Sequence, residues 1–166
     1  MPWQTALIVP VPEAEPAVAE LRLAHDGSAA LGVPAHVTIL VPFAPPDEVD
    51  EDAVANVLAP FERFAFTLDR VERFPEGVVW LHPEPSEPFS ALTAAFVARW
   101  PEHPPYEGAH EVVIPHLTLS DEDPIEVDLA LPIACVAREV TLIELGQDGR
   151  WATRRRFDLA APQGVA

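Results

Sequence analysis

Two short segments of one pattern, HVTIL at 36–40 and HLTLS at 116–120, stand 80 residues apart (36 to 116) in a chain of 166. That separation is close to half the chain, so the repeat implies two structurally similar lobes, each supplying one copy. Each copy follows a proline-bearing turn, at Pro34 and at Pro115, and each reads as a strand. Side chains alternate across a strand. His36, Thr38 and Leu40 therefore share one face, with Val37, Ile39 and Val41 on the other. His116, Thr118 and Ser120 share a face in the second copy, opposite Leu117 and Leu119. The branched apolar faces belong against helices, which leaves the histidine faces to a common cleft between the lobes. One His-x-Thr face alone reads as a half-buried polar patch with satisfied hydrogen bonds. Two matching copies on core-like strands break the local pattern in the same way, and such breaks mark functional positions.

The rest of the chain is cut into short elements by 20 prolines and 7 glycines. TALIV at 5–9 predicts a buried first strand. Residues 13–25 have helical spacing, with Val18, Leu21 and His25 toward one side. The first motif strand runs 36–41. The acids of DEVDED suit a helix start, and the helix continues to about Leu58. FAFTLDRVERFP and GVVWLHPEP give two strands around a turn at Pro75–Gly77. A helix follows, capped at Ser86 with Pro88 in its first turn. The second motif strand spans 112–120, and residues 121–131 are assigned a short helix. REVTLIELGQDGRWATRRRFDL is a hairpin with Asp148-Gly149 at its tip. Hairpin connections outnumber crossovers, so the expected class is α+β: one bilobal domain over 1–166.

Composition narrows the function classes. Hydrophobic residues make up 49% of the chain, enough for a packed core. No stretch reaches the roughly 18 apolar residues of a membrane span, and the N-terminal MPWQTALIVPVPEAEP lacks a basic leader pattern. The expected setting is cytoplasmic, without a membrane partner. A single cysteine, Cys135, excludes an internal disulfide framework and a cysteine-rich zinc site, and reads as a small core residue. The net charge of −17, with every basic residue an arginine, argues against long nucleic acid as a partner. It leaves room for a small phosphorylated substrate in a local pocket.

Two histidines in one cleft suit cleavage of a phosphodiester. A neutral imidazole takes a proton from the attacking water or hydroxyl, and a protonated one donates to the leaving oxygen. Unperturbed pKa values of about 6.5 place the optimum at roughly pH 6–7.5. The threonine hydroxyls can bond the non-bridging oxygens as charge builds up. No metal or other cofactor enters this chemistry.

The paired HVTI and HLTL motifs, with the intervening VVWLHPEP strand and PFSALTAAF helix, resemble those of the two-histidine (2H) phosphoesterase superfamily. That group includes 2′-5′ RNA ligase-like proteins and cyclic nucleotide phosphodiesterases. The resemblance implies a bilobal, pseudo-twofold α+β fold, with antiparallel sheets lining a central cleft and helices outside. It also implies His36 and His116 as the catalytic pair and Thr38 and Thr118 as phosphate binders. The expected activity is hydrolysis of a small phosphodiester, a 2′,3′-cyclic phosphate or a 2′-5′ linked nucleotide. The alternatives are reversible 2′-5′ RNA ligation or RNA end processing, and non-catalytic binding of a nucleotide or phosphorylated metabolite. The expected partner is a small nucleotide or RNA-end phosphodiester, bound by a monomer.

Further candidates for substrate contact are Arg154 and Arg156, Tyr106 in the loop PPYEGAH as a stacking platform, and Ser120. The bland reading of the arginines is a solvated strand face. His82, His103 and His110 lack metal-ligand spacing. Trp80 and Trp100 read as core or lobe interface.

Overall fold

The computed structural model describes residues 4–110 and 112–162; Met1–Trp3, the start of the stretch read for a leader, lie outside them. In chain order the elements are β1 (Thr5–Pro10), α1 (Glu15–His25), α2 (Gly27–Ala30), β2 (His36–Leu40), α3 (Glu51–Leu58) and β3 (Phe64–Arg73). Then follow β4 (Val79–Glu84), α4 (Glu87–Arg99), β5 (Leu117–Ser120), β6 (Ile133–Ala137), β7 (Glu139–Leu145) and β8 (Trp151–Asp158). The strands form two four-stranded sheets, β2-β1-β7-β8 and β5-β4-β3-β6, and every pairing within them is antiparallel. This is the α+β, two-lobed architecture that the repeat predicts.

Each lobe contains one strand–helix–motif-strand unit, β1-α1-β2 in the first and β4-α4-β5 in the second. Both motif strands are edge strands of their own sheets, and the two edges approach each other. The helices pack crosswise: α1 lies against β5 and α4 against β2. Hydrogen bonds fix this exchange. Thr93 Oγ1 on α4 donates to the Ile39 carbonyl of β2 at 2.7 Å, and the Asp121 amide donates to the His25 carbonyl at the end of α1 at 2.9 Å. One core spans both lobes, with Val37, Ile39, Leu117 and Leu119 buried beside Phe89 and Phe96. The histidine that opens β2 and the one just before β5 are thus mounted on backbone that both lobes hold.

The motif strands also share a defect. Thr38 faces Ile8 and Leu40 faces Leu7, so Ile39 is an extra residue in the ladder. Thr118 faces Trp80 and Ser120 faces Val79, so Leu119 is extra in the other sheet. A bulge re-aims the side chains beyond it. The alternation therefore holds from histidine to threonine and ends there: Leu40 and Ser120 are both fully buried.

Four local expectations need correction. The second motif strand covers only Leu117–Ser120, not 112–120, so His116 stands just before it. Residues 121–131 form no helix. Ile125, Val127, Leu129 and Leu131 alternate with exposed residues and pack on the core, which is the two-residue period of extended chain. That segment leads into β6, a strand absent from the sequence reading. Ser86 does occupy the N-cap position of α4, but its side chain makes no capping bond; its carbonyl accepts from Phe89 and Ser90 instead. Asp50, by contrast, caps α3 by accepting from the Ala53 amide at 3.0 Å. The tip of the β7–β8 hairpin falls where expected, with Gly149 at φ +80°, a conformation that disfavours any side chain. Among the described residues, no helix is long and apolar enough to cross a membrane.

Candidate active site

A cleft of about 460 Å³ opens between the two sheets, and His36, Thr38, His116 and Thr118 all line it. The backbone sets both imidazoles in the same way. His36 Nδ1 lies 2.7 Å from the Pro34 carbonyl oxygen, and His116 Nδ1 lies 2.7 Å from the Ile114 carbonyl oxygen. A carbonyl only accepts, so each Nδ1 carries hydrogen and each Nε2 is left to face a reactant. The proline-bearing turn before each motif thus has a chemical consequence: it places the carbonyl two residues upstream under the ring and fixes the tautomer.

The surroundings of the two rings differ. Behind His36 lies a buried ion pair, Arg22 with Asp26 at 3.0 Å. Burial pushes the His36 pKa down from 6.5 to about 4; the Pro34 carbonyl opposes this, the Arg22 charge adds to it, and Asp26 opposes it again. His116 packs edge-on to Phe74 at 5.1 Å and to Trp80 at 5.8 Å. Its pKa is also lowered by burial, against the Ile114 carbonyl and the Glu76 charge, which raise it. Before any anion binds, both imidazoles favour the neutral form.

Tyr106 joins the site from the loop before the second motif. Its phenol is hydrogen-bonded to the Thr38 side chain, and burial raises its pKa above the ordinary tyrosine value. The loop holds it firmly: the Tyr106 amide donates to the Val41 carbonyl at 2.6 Å, and Tyr106 and Glu107 both have left-handed φ, 52° and 57°. Such backbone is strained for residues with side chains and persists where the surroundings enforce it. Tyr106 and His116 also line a second hollow of about 330 Å³ that adjoins the cleft, walled by Phe74, Val78, Val112 and Ile114.

The other sequence candidates lie elsewhere. Ser120 Oγ donates to the Glu122 carbonyl at 2.7 Å and accepts from its amide at 3.0 Å, because the bulge at Leu119 turns it away from the cleft. Arg154 is the extra residue of a bulge opposite Leu142 and Ile143. That bulge carries its guanidinium to Glu51 at 2.8 Å, Glu144 at 3.1 Å and the Pro46 carbonyl at 2.7 Å. Arg156 is exposed beside Glu139 at 3.7 Å. Strand parity alone could not foresee the bulge. Trp80 borders His116, while Trp100 packs on Phe43 and Phe96. Cleft residues that sequence reasoning missed include Asp26, Ser28, Asp121, Ile143 and Trp151. Nothing in the sequence around Trp151 pointed to the cleft.

Of the histidines weighed for metal, His82 alone joins a group that could hold a cation. Ligand atoms of Asp69, His82 and Glu84 lie within 4.8 Å of one another, with His82 Nδ1 2.8 Å from Asp69. His103 and His110 are not in it. Burial pushes the Cys135 thiol up to about 12, helped by the Glu13 charge, which makes it a poor nucleophile.

A family model described as the 2′-5′ RNA ligase superfamily matches residues 10–148. Among solved structures, TT0787 of Thermus thermophilus superposes with a TM-score of 0.68 at 20% identity, covering 96% of this chain and 100% of that one. Escherichia coli LigT complexed with 3′-AMP gives 0.65 at 18% identity, covering 96% of this chain and 99% of that one. LigT structures complexed with ATP and with NADP+ also match, at TM-scores of 0.65 and 0.63 and 18% and 19% identity. Each of these covers 96% of this chain, and they cover 99% and 98% of LigT. At these identities the structural likeness speaks for the fold. No curated protein matches the chain by sequence.

Proposed function

The chain belongs to the 2′-5′ RNA ligase superfamily, and from that premise we propose that it hydrolyses a small phosphodiester with His36 and His116 as its acid/base pair. The preferred substrate class is a 2′,3′-cyclic phosphate or a 2′-5′ linked nucleotide. One observation carries the reading: both imidazoles line one cleft with Nδ1 tied to the carbonyl two residues upstream, each beside a threonine. The nucleotides named in the LigT complexes agree with a small molecule as ligand.

The difference in environment supports a division of roles. His36, pushed down to about 4, is neutral at working pH and serves as base. Its Nε2 removes a proton from water as the water oxygen attacks phosphorus. His116, with Glu76 favouring its charged form, is the acid. An approaching phosphate anion raises its pKa against the effect of burial. Its Nε2–H passes the proton to the leaving oxygen as the P–O bond breaks, and solvent restores both rings. Thr38 and Thr118 donate to the non-bridging oxygens. The Tyr106 phenol, hydrogen-bonded to the Thr38 side chain, holds that hydroxyl in position beside His36.

The test is turnover of nucleoside 2′,3′-cyclic phosphates and 2′-5′ dinucleotides after exhaustive chelation. The expected result is a phosphomonoester product and undiminished rate with EDTA present. Loss of rate in EDTA, restored by zinc or magnesium, would overturn the mechanism. Joined rather than cleaved RNA ends would replace hydrolysis by ligation.

A further inference from the structure

The charges around the cleft are unusual for a phosphate site. The chain has no lysine, and among the described residues no arginine lines the cleft or the adjoining hollow. The arginine felt by His36 is Arg22, which is buried behind the wall. It donates to Asp26, to Ser28 Oγ at 3.3 Å and to the Val33 carbonyl at 3.2 Å. Arg73 is held by Asp123, Arg138 by Glu13, and Arg154 and Arg155 by Glu51. Among the described residues, the carboxylates that line the space are Asp26 and Asp121 in the cleft and Glu76 in the hollow, where His110 also stands. Asp26 is compensated by Arg22. Asp121 instead accepts from a neutral donor, the Gly27 amide, 2.9 Å from its Oδ2.

We infer that this site selects a phosphodiester of single negative charge on an otherwise uncharged molecule, and that Asp121 and Glu76 exclude substrates bearing additional phosphates. The inference rests on the reading of the cleft as a phosphodiester site. One imidazolium and two hydroxyls suffice for one negative charge. A terminal phosphate adds about 1.5 to 2 further charges at neutral pH, and the walls offer it like charge instead of a guanidinium fork. The apolar hollow beside His116 supplies room for the uncharged organic part. The same walls help turnover, because hydrolysis converts a singly charged diester into a monoester of higher charge, which they repel.

The experiment compares adenosine 2′,3′-cyclic phosphate with its 5′-phosphorylated counterpart, by calorimetric binding and by kcat/KM, in the full chain at low salt. The expected preference is roughly tenfold for the compound without the 5′-phosphate, shrinking as salt is raised. Glu76→Gln and Asp121→Asn remove charge at nearly constant shape, and the asparagine oxygen still accepts from Gly27. Together they should bring the ratio toward one. The ratio is the readout because any effect of Glu76 on His116 is common to both compounds. Equal or better use of the 5′-phosphorylated compound overturns the inference and leaves the hydrolase reading intact. So does a ratio that the double variant leaves unchanged. Preferential binding without turnover upholds the charge selection and defeats hydrolysis. Binding of neither compound defeats both.

Discussion

The two halves of the molecule place a histidine in the same way and surround it differently. In the first half the ring backs onto the buried Arg22–Asp26 pair, and its threonine neighbour is bonded to Tyr106. In the second half the ring lies against Phe74 and Trp80, within reach of the Glu76 charge. What repeats is backbone: the carbonyl beneath Nδ1, the bulge one residue past the threonine, and the helix borrowed from the other lobe. What differs is side-chain electrostatics. Backbone symmetry thus presents two nitrogens of one tautomer to the cleft, and in the proposed mechanism the asymmetric surroundings divide base from acid.

The comparison breaks most severely at the histidines themselves. His36→Ala or His116→Ala should lower turnover by about 10²–10⁴-fold, the usual contribution of general acid–base catalysis, with far less effect on substrate Kd. The threonines come next. Thr38→Ala or Thr118→Ala should cost about 10²-fold, the low end for loss of one oxyanion donor and less than a histidine at its fullest, because water partly replaces a lost hydroxyl donor. Steady-state kinetics on one cyclic phosphate ranks all four variants.

Tyr106 sharpens the comparison, since its phenol is hydrogen-bonded to the threonine of the first half. Tyr106→Phe should reduce kcat a few-fold in the wild-type background and have no further effect once Thr38 is alanine. A double-mutant cycle reads that coupling. An equal coupling to Thr118 would show that the phenol acts on the cleft as a whole.

The smallest effect is on stability. Both motif histidines have folded pKa values below 6.5, His36 at about 4. Between those values the unfolded chain binds more protons than the folded one, so stability is full above about pH 6.5 and falls as pH drops toward 4. Denaturant midpoints over that window should decline less steeply in His36→Asn. Other groups add to the slope, so the variant difference carries the information.

Much of this site was legible in the sequence, and the pieces that were not share a cause. Periodicity located His36, Thr38, His116 and Thr118, because a two-residue alternation holds over three positions without knowledge of any partner strand. It failed at Ser120 and Arg154, each beyond or within a bulge that exists only in the ladder with Trp80 and Val79, or with Leu142 and Ile143. The same periodicity was present at Ile125–Leu131 and marks extended chain, although acids and prolines obscure it. The electrostatic difference between the histidines could not be read at all. Arg22 and Asp26 face His36 only once α1 has packed, and Glu76 reaches His116 only across the β4–β5 pair.

The dependence of kcat/KM on pH, measured for wild type, His36→Asn and His116→Asn, tests the division of labour most directly. The wild-type profile should be bell-shaped and centred on the acid side of 6.5, since burial lowers both rings; its limbs belong to the coupled pair. The unperturbed values would have centred it near neutrality. Removing the base should abolish the acid limb in His36→Asn, and removing the acid should abolish the alkaline limb in His116→Asn. Two variants that both keep near-wild-type rates and both limbs would contradict the assignment of His36 and His116 as the catalytic pair.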